Sequence, residues 1–304
     1  MQVISCCDPT DFQRPDEAYQ GEVAACQAIG IPTALVSFEA LVKDRNPAKA
    51  VRHVPRHDSP MPALYRGWML TPEHYGHLYD ALLQQGLYLI NDPAAYRHGH
   101  YLPESFSVIE RHTPRSVWLR TGADLPMDSI MELLRCFGSK PVVVKDYVKS
   151  SKHEWHEACF IPSAADRANV EKVVQRFLQI RGDDLNEGLV FREFIEFELL
   201  GRHSKSGMPL TKEFRLFFLN GRLIFWTNYW EEGDYEGMSP PLDQLLEVAG
   251  KVQSRFFTMD VAKRRDGEWM IVELGDGQVA GLPDHADVTG FYRSLLENWP
   301  GQSA

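Results

Sequence analysis

The sequence predicts an α/β (α+β) fold in three parts: a small α/β lobe over 1–95, a central lobe over 96–188, and a C-terminal lobe of antiparallel strands over 189–304. Three observations carry this. Up to about residue 95, short apolar runs alternate with amphipathic segments, as in βαβ units of a parallel sheet. Turn formers crowd the stretch NDPAAYRHGHYLPESFSVIERHTPRS at 91–116, which suits a crossing between lobes. After Leu189, Asn220-Gly221 and Asp266-Gly267 each separate two strand-like runs, a strong hairpin signal.

In chain order, VISCC and IPTALVSF are strands flanking a helix over 16–29, and ALYRGWML at 63–70 is a third strand. A helix follows over 72–85, begun by Thr71 with Pro72 at its first position, where a missing N–H costs nothing. LYLI closes the lobe. In the central part SVWL, PVVVKDYV and CFIP are strands, 126–137 is a helix, and 163–180 is a longer helix opened by Ser163. KSSKHEWHEA between two of these strands is a polar turn or lid. LVFREFIEFELL begins the last part, then come two hairpins separated by a helix over 240–257, and a final helix over 287–298.

A chain of 304 residues with 44% apolar content is long enough for a full core in several lobes. The formal charge of −10 disfavours nucleic acid, whose backbone calls for clustered Lys and Arg. The five cysteines show neither CxxC spacing nor scaffold density, so they are expected to be reduced. No signal peptide or membrane-length apolar run is evident, so a cytoplasmic location is the default expectation.

Four segments place charge inside apolar strands. In PVVVKDYV the period-two rule puts Val143 and Lys145 on one face, so Lys145 either meets a phosphate in a cleft or ends the strand at the surface. In REFIEFELLG the backbone around Glu193, Phe194 and Ile195 suits a base edge and Glu198 suits ribose hydroxyls; a solvated edge strand is the alternative. In KEFRLFFLNGRL, Arg215 is either a phosphate-binding fork or half of an ion pair with Glu213. Asp260 and Glu273 lie on two strands of one hairpin, with Asp276 three residues on, and converging oxygen ligands suit Mg²⁺.

In this order the segments resemble the ATP-grasp superfamily over roughly residues 60–295. PVVVKD resembles its phosphate-lysine strand, REFIEFE its adenine stretch, and KEFRLFFLNGRLIF its DxRxxVxxGxxI strands. The resemblance implies an ATP-grasp fold with ATP and Mg²⁺ as cofactors. It assigns Lys145 and Arg215 to catalysis, Lys145, Lys149, Glu193, Phe194, Ile195, Glu198 and Lys212 to the nucleotide, and Asp260, Glu273 and Asp276 to the metal. Departures are KSSKHEW in place of a glycine-rich loop, Gly275 at an asparagine position, and no first phosphate lysine near residue 100, where Arg120 is the candidate substitute. Arg66, Arg202 and His203 are candidate substrate contacts. The implied activity joins a carboxylate to an amine or thiol through an acyl phosphate, on small-molecule or peptide substrates. A kinase on the same fold and a non-catalytic nucleotide-binding regulator are the alternatives.

Overall fold

The computed structural model describes residues 1–121, 125–202, 209–231, 234–235 and 237–300. Its first sheet has parallel strands β1 (Gln2–Cys6), β2 (Thr33–Val36), β3 (Met61–Arg66) and β4 (Leu87–Leu89), in the order β2-β1-β3-β4. Helices Gln20–Ala28 and Pro72–Leu83 are among the crossovers. Thr71 caps the second as its spacing predicts, the hydroxyl accepting from the His74 amide ahead of Pro72. One side of the sheet buries Ile4, Cys6 and Tyr65; the other side sets Val3 and Leu64 against Phe217, Leu219 and Phe256 of the C-terminal lobe.

The second sheet is antiparallel, with β5 (Ser116–Arg120), β6 (Val142–Asp146), β7 (Phe160–Ile161) and β8 (Gly188–Glu193) in the order β5-β8-β6-β7. Alternation sorts its residues. Val142, Val144, Leu189 and Phe191 pack on helices Met127–Leu134 and Arg167–Arg181, leaving Val143, Lys145, Val190 and Arg192 on the opposite face. β8 is an inner strand of this sheet, and the chain leaves the sheet after Glu193.

A ribbon of β9 (Leu199–Arg202) and β10 (Pro209–Thr211) leads to the third sheet. This is antiparallel: β11 (Glu213–Leu219), β12 (Arg222–Asn228), β13 (Phe256–Lys263) and β14 (Trp269–Asp276), ordered β12-β11-β13-β14. Asn220 and Gly221 join its first hairpin at φ 49° and 74°, the left-handed pair that matches strand twist. Phe214, Leu216, Phe218, Met259, Val261 and Leu274 face helices Leu102–Ile109 and Leu242–Ala249. The other face carries Arg215, Asp260 and Glu273, because Arg215 pairs with Asp260 and Asp260 with Glu273 across the strands.

Several elements differ from expectation. The helix placed over 163–180 starts at Arg167, because the Asp166 carboxylate, not Ser163, accepts the amide of Asn169. The helix placed over 240–257 is Leu242–Ala249; Gly250 follows it, and Phe256 and Phe257 belong to β13. The interlobe stretch holds two helices, Pro93–His100, capped by Asp92, and Leu102–Ile109. The polar stretch after Lys149 contains a turn of 3₁₀ helix, Lys152–Glu154, and a short helix, Trp155–Ala158. All five cysteines are unpaired, and burial pushes the Cys6 thiol up to about 12. Among the described residues no helix is long and apolar enough to cross a membrane.

Arg66 is a structural tie, not a substrate contact. It is 1% exposed, its guanidinium donates to both Glu22 oxygens at 2.8 Å, and its Nη1 reaches the Gly277 and Ala280 carbonyls at 2.5 and 2.7 Å. Arg120 ends an edge strand and pairs with Glu187 at 3.0 Å. His203 lies outside the described residues.

Candidate functional site

The charged faces of the second and third sheets border a cleft of about 570 Å³, a volume in the range of ligand pockets. Lys145, Lys149, Lys152, Arg192, Arg202, Arg215 and Arg265 line it, against Glu193, Glu196, Glu213 and Glu273. A chain of net charge −10 thus gathers an excess of cations in one cavity. Such a field favours a polyanion.

Lys145 is delivered by the alternation of β6. Its ammonium donates to Glu273, whose side chain keeps 36% exposure toward the cleft. Burial works against ionisation of Glu273, but the charges of Lys145, Lys152 and Arg192 outweigh it and hold the carboxyl below its ordinary range. Arg215 forks onto Asp260, Nε to Oδ1 at 2.9 Å and Nη2 to Oδ2 at 2.7 Å, and stacks 4.7 Å from the Tyr229 ring. Burial raises the Glu213 carboxyl to about 7, against the pull of Lys152. Lys152 crosses from the segment after β6 to within 6.0 Å of Tyr229 on the third sheet, while Lys149 stays exposed.

The adenine stretch departs from a regular strand after Glu193. The Glu193 and Phe194 amides donate to the Arg115 and Pro141 carbonyls at 2.8 and 3.0 Å. Among the described residues the Ile195 backbone has no such partner, and Glu193, Phe194 and Ile195 all line the cleft. Phe194 packs edge-on against Phe160. Glu198 and Lys212 do not line it. Lys212 donates to Glu198 at 2.7 Å, and this bond, ahead of the charges of Lys212 and Lys263, holds the Glu198 carboxyl below its usual range.

Asp276 is not brought together with Asp260 and Glu273. It pairs with Phe257 on the opposite face of the hairpin, is 0% exposed, and accepts from Asn91 at 2.6 Å and from the Gln278 amide at 2.9 Å. Burial lifts its carboxyl to about 7. The neighbouring Gly275 does share the face of Asp260, but a Cβ there would meet Thr258 Oγ1 at 2.7 Å. Thr258 fills the space an asparagine side chain would need to leave the backbone. Among the described residues no three acidic, histidine or cysteine side chains form a metal-holding group. Two carboxylates nevertheless fit Mg²⁺, which commonly takes one or two from protein and the rest from phosphate and water.

Asp276→Asn is therefore expected to leave any response to Mg²⁺ unchanged while lowering stability by about 1–3 kcal/mol, since an amide nitrogen would face donors now satisfied by a carboxylate. Denaturant unfolding beside a Mg²⁺ titration checks this. A lost metal response with parental stability would return Asp276 to the metal.

Sequence reasoning missed Arg192. Its alternation with Val190 on the face shared by Lys145 was readable, but Arg192 is the first residue of REFIEFE, where the resemblance assigns roles only from Glu193 onward.

A family model for an ATP-grasp domain, the third family of its clade, matches residues 136–295. No curated protein matches the sequence. Among solved structures, the fold resembles a RimK domain protein ATP-grasp from Sphaerobacter thermophilus, at 16% identity and TM-score 0.58 over 95% of this chain and 97% of that one. D-cycloserine synthetase DcsG gives 12% identity and TM-score 0.59 over 98% and 99%. The D-alanine-D-alanine ligase from Coxiella burnetii gives 12% and 0.59 over 97% and 90%. With more than half its length under the family model and the fold shared end to end, the chain belongs to the ATP-grasp superfamily.

Proposed function

We propose that this protein is an ATP- and Mg²⁺-dependent ligase that activates a carboxylate as an acyl phosphate and transfers the acyl group to an amine. The observation that carries the proposal is the meeting of Lys145, Arg215 and Glu273 from two sheets at one cation-rich cleft, with Asp260 buried beside them under the fork of Arg215. In this reading adenine lies along Glu193, Phe194 and Ile195, and Lys145, Lys149 and Lys152 face the phosphates. Asp260 and Glu273 hold Mg²⁺, which neutralises phosphate oxygens when bound. Arg215, with its fork already aligned by Asp260 and Tyr229, offsets charge on the transferring phosphoryl group. Glu198 serves the ribose only by loosening its bond to Lys212.

The substrate carboxylate takes the γ-phosphoryl group, ADP leaves, and attack by the amine releases phosphate. Structures of the ATP-grasp ligase PsnB with its precursor peptide and of macrocyclase MdnC from Microcystis aeruginosa with MdnA have TM-scores of 0.53 and 0.54. They motivate including peptides with amino acids among the substrates tested. Incubation with ATP, Mg²⁺, candidate carboxylates and hydroxylamine should yield hydroxamate and ADP in equal amounts. A stable phosphorylated product with no hydroxamate would favour a kinase, and failure to bind ATP would end the proposal.

The segment from Lys149 to Ala158 acts here as a lid. Lys152 already reaches toward Tyr229, and Glu154 is anchored by Arg176 at 2.7 Å, so closure requires only that Lys149 and its neighbours settle on phosphate. Cleavage at Lys149 by trypsin should slow several-fold on adding ATP with Mg²⁺; equal cleavage rates would rule the lid out.

A further inference from the structure

Between the pairs Val261–Ile271 and Asp260–Glu273, strand β14 carries one residue more than β13, and that residue is Val272. In a regular strand Ile271 and Glu273, two apart, would point the same way. The bulge separates them, turning Ile271 into the core and Glu273 toward the cleft. Such a kink leaves carbonyls without ladder partners.

Arg192 supplies those partners. From β8 its Nη1 donates to the Val272 carbonyl, and its Nη2 donates to Thr113 Oγ1 and, at 3.3 Å, to the Ile271 carbonyl. Thr113 Oγ1 donates to that same Ile271 carbonyl at 2.8 Å. Arg192 is 7% exposed, and among the described residues it pairs with no carboxylate. A buried cation that holds only carbonyls and a hydroxyl is costly, and an apolar side chain would fill the space with a smaller desolvation penalty. The rigid fork of guanidinium donors is what spans two successive carbonyls. The Nε, also buried, has no hydrogen-bond partner among the described residues.

We propose that Arg192 is a positioning residue for Glu273: by pinning the bulge it fixes the direction in which the carboxylate meets the metal. This rests on the function proposed above. The test is ATP affinity by calorimetry, with Mg²⁺ and with chelator, for Arg192→Met and Arg192→Lys in the parent and in Glu273→Gln. Arg192→Met should weaken Mg²⁺-ATP by about tenfold, the scale of losses when supports behind metal ligands are removed. Metal-free ATP affinity should fall by less, only by the share that the lost cation gives to the field of the cleft, and in Glu273→Gln the second substitution should add no more than that metal-free loss. Arg192→Lys, with one nitrogen in place of a fork, should give an intermediate loss, and it carries the comparison if Arg192→Met does not fold. Equal losses with and without Mg²⁺, or additive losses in the double variant, would overturn the role of Arg192 while leaving the proposed function standing. A parent protein whose ATP affinity ignores Mg²⁺ would overturn both.

Discussion

Glu273→Gln is expected to lower ADP release by on the order of 100-fold, equivalent to about 3 kcal/mol of lost charge stabilisation. Glutamine preserves the shape of the side chain and can still accept a hydrogen bond from Lys145, but it lacks the charge a hard divalent ion requires. The bond to Lys145 also loses the acceptor's charge and leaves the buried ammonium without a counter-charge, so stability should fall by about 1–2 kcal/mol. Release of ADP at saturating ATP and Mg²⁺, with the substrate pair found by hydroxamate trapping, is the measurement. Parental ADP release with parental Mg²⁺ dependence would mean that the metal is not held at Glu273.

Arg66→Met should cost about 3–5 kcal/mol of stability, because it strands a buried carboxylate. Glu22 would keep only the Tyr292 hydroxyl at 2.5 Å, while the Gly277 and Ala280 carbonyls would lose their donor. Adding Glu22→Gln should restore part of the loss, since the paired charges themselves carry a large desolvation penalty. Denaturant unfolding of the single and double variants checks this. A single variant within experimental error of the parent would show that Arg66 does not tie the first lobe to the segment after β14.

The elements of the cleft were legible where local rules settle them. Alternation alone places Lys145 with Val143, and Asn220-Gly221 gives the hairpin that carries Arg215. Thr71 and Pro72 mark their helix in the same way. What the sequence hid depends on partners far along the chain. Asp276 looks like a metal ligand by its nearness to Glu273, yet three steps along a regular strand put it on the other face, where Asn91 reaches it from 185 residues away. Arg66 looks like a surface base within an aromatic run, and only Glu22 and the Gly277 carbonyl reveal its burial. Arg192 belongs with these, because no local pattern announces a bulge on a strand some 80 residues later.

The two carboxylates proposed for the metal are each already held by a cation, Glu273 at the cleft by Lys145 and the buried Asp260 by Arg215. Under the proposed function this has a thermodynamic consequence. A divalent ion entering alone would have to strip Glu273 from a lysine that then stays buried without its counter-charge. A triphosphate entering alone would draw Lys145 away and strand the carboxylate instead. Arriving together, metal and triphosphate exchange partners with the pair, and no charge is left uncompensated. Each ligand should therefore raise the affinity of the other by the same factor, as linkage requires of any two coupled sites. The ion pairs thus act as a gate for the combined species, discriminating against bare nucleotide and bare ion alike.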